Sequence, residues 1–510
     1  MTINNETSEP TAVRGFARRI GILQATAINM SQMVGTGPFI TIPLMVGVFG
    51  GPQAILGWIV GAILAICDGL VWAELGAAMP GAGGTYVYLR EAFQYRTGRL
   101  MPFMFVWTAI VFIPLIMSTG VTGFVQYLTY LWPSMTQTDG DIVGLAMCVA
   151  VAVLLWRRIE SIGKLTVVLW SVMIVSVLSV IVAAFSHFHS SLAFAYPVHA
   201  FSLGSSSFWA GLGLGLIVGI YDYLGYNTSS YLGAEVKDPG RVLPRSILYS
   251  VICVMAIYLL MQIGILGVVP WRDMIDPNNP ASQSVAAVVL QQAWGKTAAS
   301  IVTVLILIAS FASVLTGLLG GSRVPYDAAN DRLFFSRYAR LNRKGRFPQF
   351  SLVTMVAITA FGFIVSRHLG DSSTTPPLTV LIGLLTTVMV IVQAAAQIAA
   401  LTVLRRRQPQ LKRPYKMWLY PLPSIIALVA WGIVYGFADK ASPGVHPIEW
   451  SLAWIALGVV AYLVWAAAEH TWPFGPKEIH EEFLEAQMIA EAAASAGSGR
   501  SELGAGTTSL

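Results

Sequence analysis

The chain has 510 residues, of which 55% are hydrophobic and 11% are charged, and its formal net charge is +6. Soluble proteins carry about 25% charged residues, so this composition excludes a large soluble protein and indicates a chain that crosses a membrane many times. The basic excess does not indicate nucleic-acid binding, because the basic clusters flank apolar segments, where they meet anionic lipid.

Apolar segments long enough to cross a bilayer recur along the whole chain. We therefore predict an all-α polytopic membrane protein with about twelve transmembrane helices. The predicted spans are residues 23–48, 53–79, 100–128, 142–156, 162–186, 207–233, 244–269, 298–320, 350–366, 377–402, 419–438 and 448–468.

The distribution of basic residues predicts the orientation of these helices. With a cytoplasmic N-terminus, the outside loops hold only four of the 31 Lys and Arg residues, namely Arg272, Lys296, Arg367 and Lys440. Positive charge collects on the cytoplasmic side of membrane proteins. We expect a protein of the plasma (inner) membrane with cytoplasmic tails at residues 1–20 and 473–510, the second largely disordered.

The first predicted helix contains an interruption, Gly35-Thr36-Gly37-Pro38-Phe39. Glycine and proline are the residues that a helix interior tolerates least. In hydrocarbon, backbone groups freed by a break survive only where they face protein or line a cavity. This segment by itself leaves two alternatives open, a ligand site and a simple kink.

The sixth predicted helix is interrupted as well. Its centre, residues 219–227, contains Asp222 among three tyrosines, Tyr221, Tyr223 and Tyr226. Two broken helices, the first and the sixth, indicate a binding site near the membrane midplane in transporters built from two five-helix repeats.

The three cysteines, Cys67, Cys148 and Cys253, all lie in predicted spans. We expect small buried hydrophobic side chains there, rather than a disulfide or a metal site. The loop at residues 129–141 has no cysteine, which argues against a disulfide-linked accessory subunit. The scattered histidines argue against an enzyme, and no cofactor or metal is expected.

Three loop stretches carry a resemblance to a known family. They are AELGAAMPGAGGTYVYLREAF at residues 73–93, GAEVKDPGRVLPRSI at residues 233–247 and GSRVPYDAANDRLFFSRYARLNRKGRFP at residues 321–348. Together with the interrupted first helix, they resemble the amino acid-polyamine-organocation (APC) superfamily of secondary transporters. The strongest likeness is to bacterial amino acid permeases and the light chains of heteromeric amino acid exchangers.

The resemblance implies the inverted-repeat fold of the leucine transporter. Its five-helix repeats would occupy residues 21–186 and 207–402, followed by two further helices within residues 417–470. Alternating access would come from rocking one bundle of helices against the rest. The resemblance also implies that Glu74 and Glu235, in the loop motifs, hold gate contacts rather than substrate.

The break in the first helix suits the carboxylate of an amino acid. Free N–H groups of Thr36, Gly37 and Phe39 begin the second half of this helix, where the helix dipole favours negative charge. Pro38 has no N–H, which leaves one of these contacts open.

The ammonium group of the substrate needs acceptors. The resemblance carries this role to the backbone carbonyls near Met33 and at Tyr221 and Asp222, and Gly225 and Asn227 complete the predicted substrate-binding set. Asn227 matches an asparagine common in amino acid exchangers, which favours amino acids over polyamines.

Three ionisable residues leave alternatives open. An acid inside a membrane is costly and by default functional. Asp222 either binds a cationic group, carries a proton, or turns away as a neutral acid. Asp68, in the second span, either joins a proton path or pairs within the bundle. For Lys164, simple snorkelling to the interface is the alternative to a role at the site.

The resemblance implies that Lys164 takes the position of the sodium ion of sodium-coupled relatives. We therefore predict a sodium-independent secondary active transporter for amino acids, working by proton symport or exchange. The alternatives are a polyamine or cationic amino acid permease, and a transporter-like sensor that binds amino acids without moving them.

Overall fold

The computed structural model describes residues 20–80, 84–156, 162–341, 347–368 and 376–474, with the backbone alone for residues 162–169 and Ala234. Within these residues the fold is almost entirely helical, and the one extended pairing is a single bridge between Ile20 and Val236. The predicted C-terminal tail lies outside the described residues from position 475 onward.

The helices follow the apolar segments of the sequence. They are α1 Ile22–Val34, α2 Gly37–Phe49, α3 Ile55–Ala78, α4 Thr85–Thr97, α5 Leu100–Leu131, α6 Gln137–Leu155, α7 Ile162–Ser186, α8 Ser190–Ala193, α9 Ser206–Tyr223, α10 Thr228–Tyr231, α11 Pro239–Leu266, α12 Trp271–Ile275, α13 Ala281–Gly321, α14 Arg323–Asn330, α15 Gln349–His368, α16 Pro377–Met389, α17 Ala396–Arg407, α18 Leu422–Ala441 and α19 Pro447–Ala468.

Many of these helices can cross a bilayer. Among the described residues, nine helical stretches are long and apolar enough, and α1 with α2 forms a tenth that is bent by 50° at its break. The all-α polytopic membrane fold is thus confirmed. The count of twelve spans and the inverted repeat stay predictions.

Close helix packing sets the position of α9. A Cβ atom on Gly61 of α3 would lie 2.9 Å from the carbonyl carbon of Gly219 on α9, so the two backbones nearly touch. Small residues allow such approach between membrane helices. The same helix also packs against α2, and α1 packs against α11. The two interrupted segments are thereby brought together in the interior.

One sequence expectation is wrong, and one predicted span is preceded by an irregular segment. Ala281–Gly321 contains non-helical backbone at Ser284 and at Gly295, whose φ is +84°, and the helix predicted from residue 298 follows the second of these breaks. Cys67 and Cys148 are buried as predicted, but Cys253 is exposed. Cys253 lies on a face of α11 that no other helix covers, and an apolar span does not reveal which of its faces is covered.

An ion-pair clamp secures the end of α3. Glu74 is fully buried, and its carboxylate receives hydrogen bonds from Arg405 of α17, at 2.8 Å from Nε, and from the backbone N–H of Met417, at 2.7 Å. The Arg413 guanidinium lies 3.7 Å away. Burial lowers the pKa of Arg413, and the charge of Glu74 offsets part of that shift. The clamp therefore ties α3 to α17 and to the segment that follows it.

We expect Glu74→Gln to destabilise the protein by about 3 kcal/mol, because removing one partner of a buried ion pair leaves the other uncompensated. Thermal unfolding in detergent measures this as a lower midpoint. Glu235→Gln is the matched control, since Glu235 is partly exposed and has no ion pair in the described part of the chain. Equal midpoints for the two variants would contradict the clamp.

Candidate functional site at two broken helices

The break in the first helix lies where the sequence predicts it. α1 ends at Val34, Gly35 and Thr36 form the gap, and α2 begins at Gly37. Met33, Thr36 and Phe39 are at most 4% exposed. Because these residues are buried, the gap faces protein and is closed to solvent in this conformation.

One predicted carboxylate contact at this break is already occupied. The Phe39 N–H donates to the Thr36 carbonyl at 3.2 Å, and Pro38 has no N–H to offer. The expectation that Phe39 offers a free donor is therefore wrong for this conformation. Thr36 and Gly37 remain the backbone donors at the start of α2.

The break in the sixth helix follows α9 directly. After Tyr223 the chain turns through residues 224–227 and resumes as the one-turn helix α10. Gly225 has a φ of +115°, and a Cβ atom there would lie 2.5 Å from the Cβ of Gln32 on α1. Glycine is needed at this turn for its conformation and for its close approach to α1.

Asp222 faces the break in the first helix. Its side chain is 2% exposed and accepts a hydrogen bond at Oδ2 from Thr41 of α2. A Cβ atom on Gly37 would overlap Oδ1 of the same carboxyl group. Oδ1 is buried and has no hydrogen-bond partner in the described protein. The acid of one broken helix thus lies against the first turn of the other.

A tyrosine that the sequence analysis missed bridges the two breaks. The Tyr258 hydroxyl of α11 lies 2.7 Å from the Met33 carbonyl oxygen and 2.9 Å from the Asp222 carbonyl oxygen. A phenol has a single proton, so it serves these two acceptors together or in turn. Both carbonyls were predicted to bind an ammonium group. In the sequence, Tyr258 is one aromatic residue within an apolar span and carries no distinguishing signal.

The remaining predicted residues have other partners as well. The Tyr221 carbonyl accepts the Leu224 N–H at 3.1 Å and has a second lone pair for another donor, so its predicted role stays a prediction. The Tyr221 hydroxyl donates to Thr119 of α5 at 2.6 Å. Asn227 is buried, and its side chain lies beside the Tyr231 phenol of α10. Both residues therefore lie on the α10 side of the second break.

Asp68 belongs to the second break rather than to the first. Its Oδ2 accepts a hydrogen bond from the hydroxyl of Tyr226, which lies in the turn between α9 and α10. This is the pairing within the bundle that the sequence left as one of two alternatives. The side chain of Lys164 lies outside the described residues, so its predicted role stays a prediction.

Comparison with known proteins gives matches over most of the chain. Residues 20–464 match the family model for amino acid permeases. An uncharacterized transporter of Mycobacterium bovis is 26% identical over 62% of this chain and 66% of its own length. A serine/threonine exchanger of Bacillus subtilis is 23% identical over 84% of this chain and 92% of its own length. A large neutral amino acids transporter small subunit of Oryctolagus cuniculus is 25% identical over 89% and 81%.

The contact between Gly37 and Asp222 is testable by a double-mutant cycle. We expect Gly37→Ala to destabilise the protein by about 1–3 kcal/mol through overpacking, and Asp222→Ala to remove most of that penalty when combined with it. Thermal unfolding of the four proteins measures the coupling. Gly436→Ala on α18 is the control, because a Cβ atom there meets nothing within 4 Å. Additive effects of the two substitutions would contradict the contact.

The Tyr258 bridge gives a further prediction. Tyr258→Phe leaves two buried carbonyls without a donor, at a cost of about 1–3 kcal/mol. We expect a lower unfolding midpoint than for Tyr249→Phe, a control on the exposed part of the same helix. A Tyr258→Phe protein as stable as the control would show that the bridge contributes nothing.

Proposed function

The chain belongs to the amino acid permease family, and on this premise we propose that it is a secondary active transporter that moves amino acids across the plasma membrane by alternating access. The family and the relatives are transporters rather than enzymes, and the chain is an integral membrane protein. Transport is independent of sodium and proceeds by proton symport or exchange, with both termini in the cytoplasm.

The observation that carries this proposal is the meeting of two broken helices at the contact between Gly37 and Asp222. A zwitterion needs donors for its carboxylate and acceptors for its ammonium group, supplied without burying an unpaired charge. Backbone groups at the two breaks supply both kinds within one buried region.

In the proposed binding mode, the substrate carboxylate meets the N–H groups of Thr36 and Gly37 at the start of α2. The ammonium group takes the carbonyls of Met33 and Asp222 from the Tyr258 hydroxyl, since its three donors replace a single phenolic proton. The predicted substrate-binding set also includes Phe39, Tyr221, Gly225 and Asn227.

Three further parts of the proposal follow from the resemblance and the sequence. Lys164 stands in place of a sodium ion, which makes transport independent of sodium. The partners are the amino acid, protons and membrane lipid, without a disulfide-linked subunit. The protein has twelve spans, ten of them in two inverted repeats, and alternating access comes from rocking one bundle of these helices against the rest.

The test is uptake into proteoliposomes of radiolabelled L-serine, L-leucine, putrescine and spermidine, with sodium and pH gradients varied separately. We expect uptake of an amino acid without sodium, because the proposed site binds the zwitterion through backbone groups. Gly37→Val should abolish this uptake, since its side chain would overlap Asp222, whereas Gly436→Ala should retain it.

Other outcomes separate the alternatives. Binding without uptake under every gradient would indicate the sensor. Selective uptake of putrescine or spermidine would indicate a polyamine permease. Uptake that depends on sodium would contradict the proposed role of Lys164.

A further inference from the structure

The hydrogen bonds around Asp222 favour one protonation state. The Thr41 hydroxyl lies 2.9 Å from the Gly37 carbonyl oxygen and also contacts Oδ2 of Asp222. If Asp222 is ionised, the single Thr41 proton is shared between these two acceptors. If Asp222 is a neutral acid, its O–H donates to Thr41 and Thr41 donates to Gly37, so each contact has a proton of its own.

The surroundings of Asp222 also disfavour a charge. Its Oδ1 is buried without a hydrogen-bond partner, although it lies against the first residue of α2. The helix dipole attracts an anion to that end, but no N–H reaches this oxygen. An uncompensated charge at such depth is costly.

The titratable groups that face Asp222 are phenols, which are neutral at physiological pH. They belong to Tyr221 and Tyr223 on α9 and to Tyr258 on α11. The helices α1, α2 and α16, which also pack against α9, carry no titratable side chain. No cation in the described part of the chain compensates Asp222.

The ionisable groups on the other two helices that pack against α9 have partners of their own. On α3, Asp68 binds Tyr226 and Glu74 binds Arg405, and the Cys67 thiol is neutral at physiological pH. On α18, the Tyr435 hydroxyl lies 3.1 Å from the Ser451 hydroxyl, Asp439 accepts the Ile448 N–H and Lys440 lies over the Phe437 ring. Within the described part of the chain, Asp222 is therefore left to balance its charge with a proton or with a ligand.

We propose that the empty protein closes only with a proton on Asp222, whereas the loaded protein closes without it. In the loaded protein the substrate ammonium group compensates the Asp222 carboxylate, while the N–H groups and the dipole at the start of α2 compensate the substrate carboxylate. This inference rests on the proposed function. It selects exchange over symport, with the proton as the counter-substrate when no amino acid is available on the inside. Asp222 is thus the residue that couples the cycle to pH.

The direction of proton movement follows from this assignment. An amino acid enters on the loaded protein, and its departure inside leaves the Asp222 carboxylate to take a proton from that side. The empty protein then returns and releases this proton outside when the next amino acid binds. One amino acid moves in and one proton moves out in each cycle of net uptake. With amino acid on both sides, the protein exchanges them and moves no net proton.

The experiment measures amino acid accumulation in proteoliposomes under pH gradients of either sign, with the membrane potential clamped by potassium and valinomycin. The probes are L-serine and L-leucine. We expect accumulation when the interior is acidic, approaching about tenfold for each unit of pH difference, since one unit corresponds to 1.36 kcal/mol. Accumulation driven by an acidic exterior would indicate symport and overturn the inference.

Variants identify the proton carrier. Asp222→Asn removes the titratable group but keeps an oxygen for the ammonium group, and we expect weakened exchange with no accumulation under either gradient. Asp68→Asn is the matched control, because it removes the buried acid of α3 that binds Tyr226 at the second break and should keep the response to the gradient. Loss of the response in Asp68→Asn or in Lys164→Gln, with its retention in Asp222→Asn, would overturn the assignment.

The outcome also separates this inference from the proposed function. If the wild-type protein neither takes up nor exchanges any amino acid, the proposed function itself fails. If it exchanges amino acids but accumulation ignores the pH gradient or follows an acidic exterior, only the role of Asp222 fails. The sign measured with the wild-type protein is decisive even where Asp222→Asn folds poorly.

Discussion

The structure depends on how backbone groups freed by broken helices are satisfied at membrane depth. In hydrocarbon no water is available to them, so protein side chains must act as partners. The Tyr258 hydroxyl serves the carbonyls of Met33 and Asp222, and the Tyr127 hydroxyl donates to the Phe39 carbonyl at 2.7 Å. On the other side of the second break, the Asn29 side chain accepts the Ser229 N–H at 2.8 Å. Without such partners neither break would be stable.

These partners also bear on the proposed binding mode, in which a substrate enters a buried site. Each hydroxyl bond at the breaks has a small net free energy, about 1 kcal/mol, because folding exchanges hydrogen bonds with water for hydrogen bonds within the protein. In the proposed mode, a ligand with several donors would therefore replace Tyr258 at modest cost. Small free-energy differences of this kind are what the proposed alternating access would require.

Helix contacts outside the two breaks also fix the position of α9. Gly61 of α3 touches Gly219 of α9, three residues before Asp222 along the chain. The far end of α3 is tied to α17 through Glu74 and Arg405. The same helix, α3, thus contacts both the clamp and the helix that carries Asp222.

The sequence by itself determined the membrane class, the helical segments and both breaks, because long apolar runs and interior glycine, proline and acidic residues are local signals. It also named Gly37 and Asp222 as site residues, although neither their contact nor the direction of the Asp222 side chain was readable from spacing. Tertiary structure alone decided that Tyr258 and Thr41 contact the two breaks, that Phe39 and Tyr221 use their backbone groups locally, and that Cys253 is exposed. Those outcomes depend on which helix surfaces lie against each other. These contacts are set by packing between segments that lie far apart in the chain.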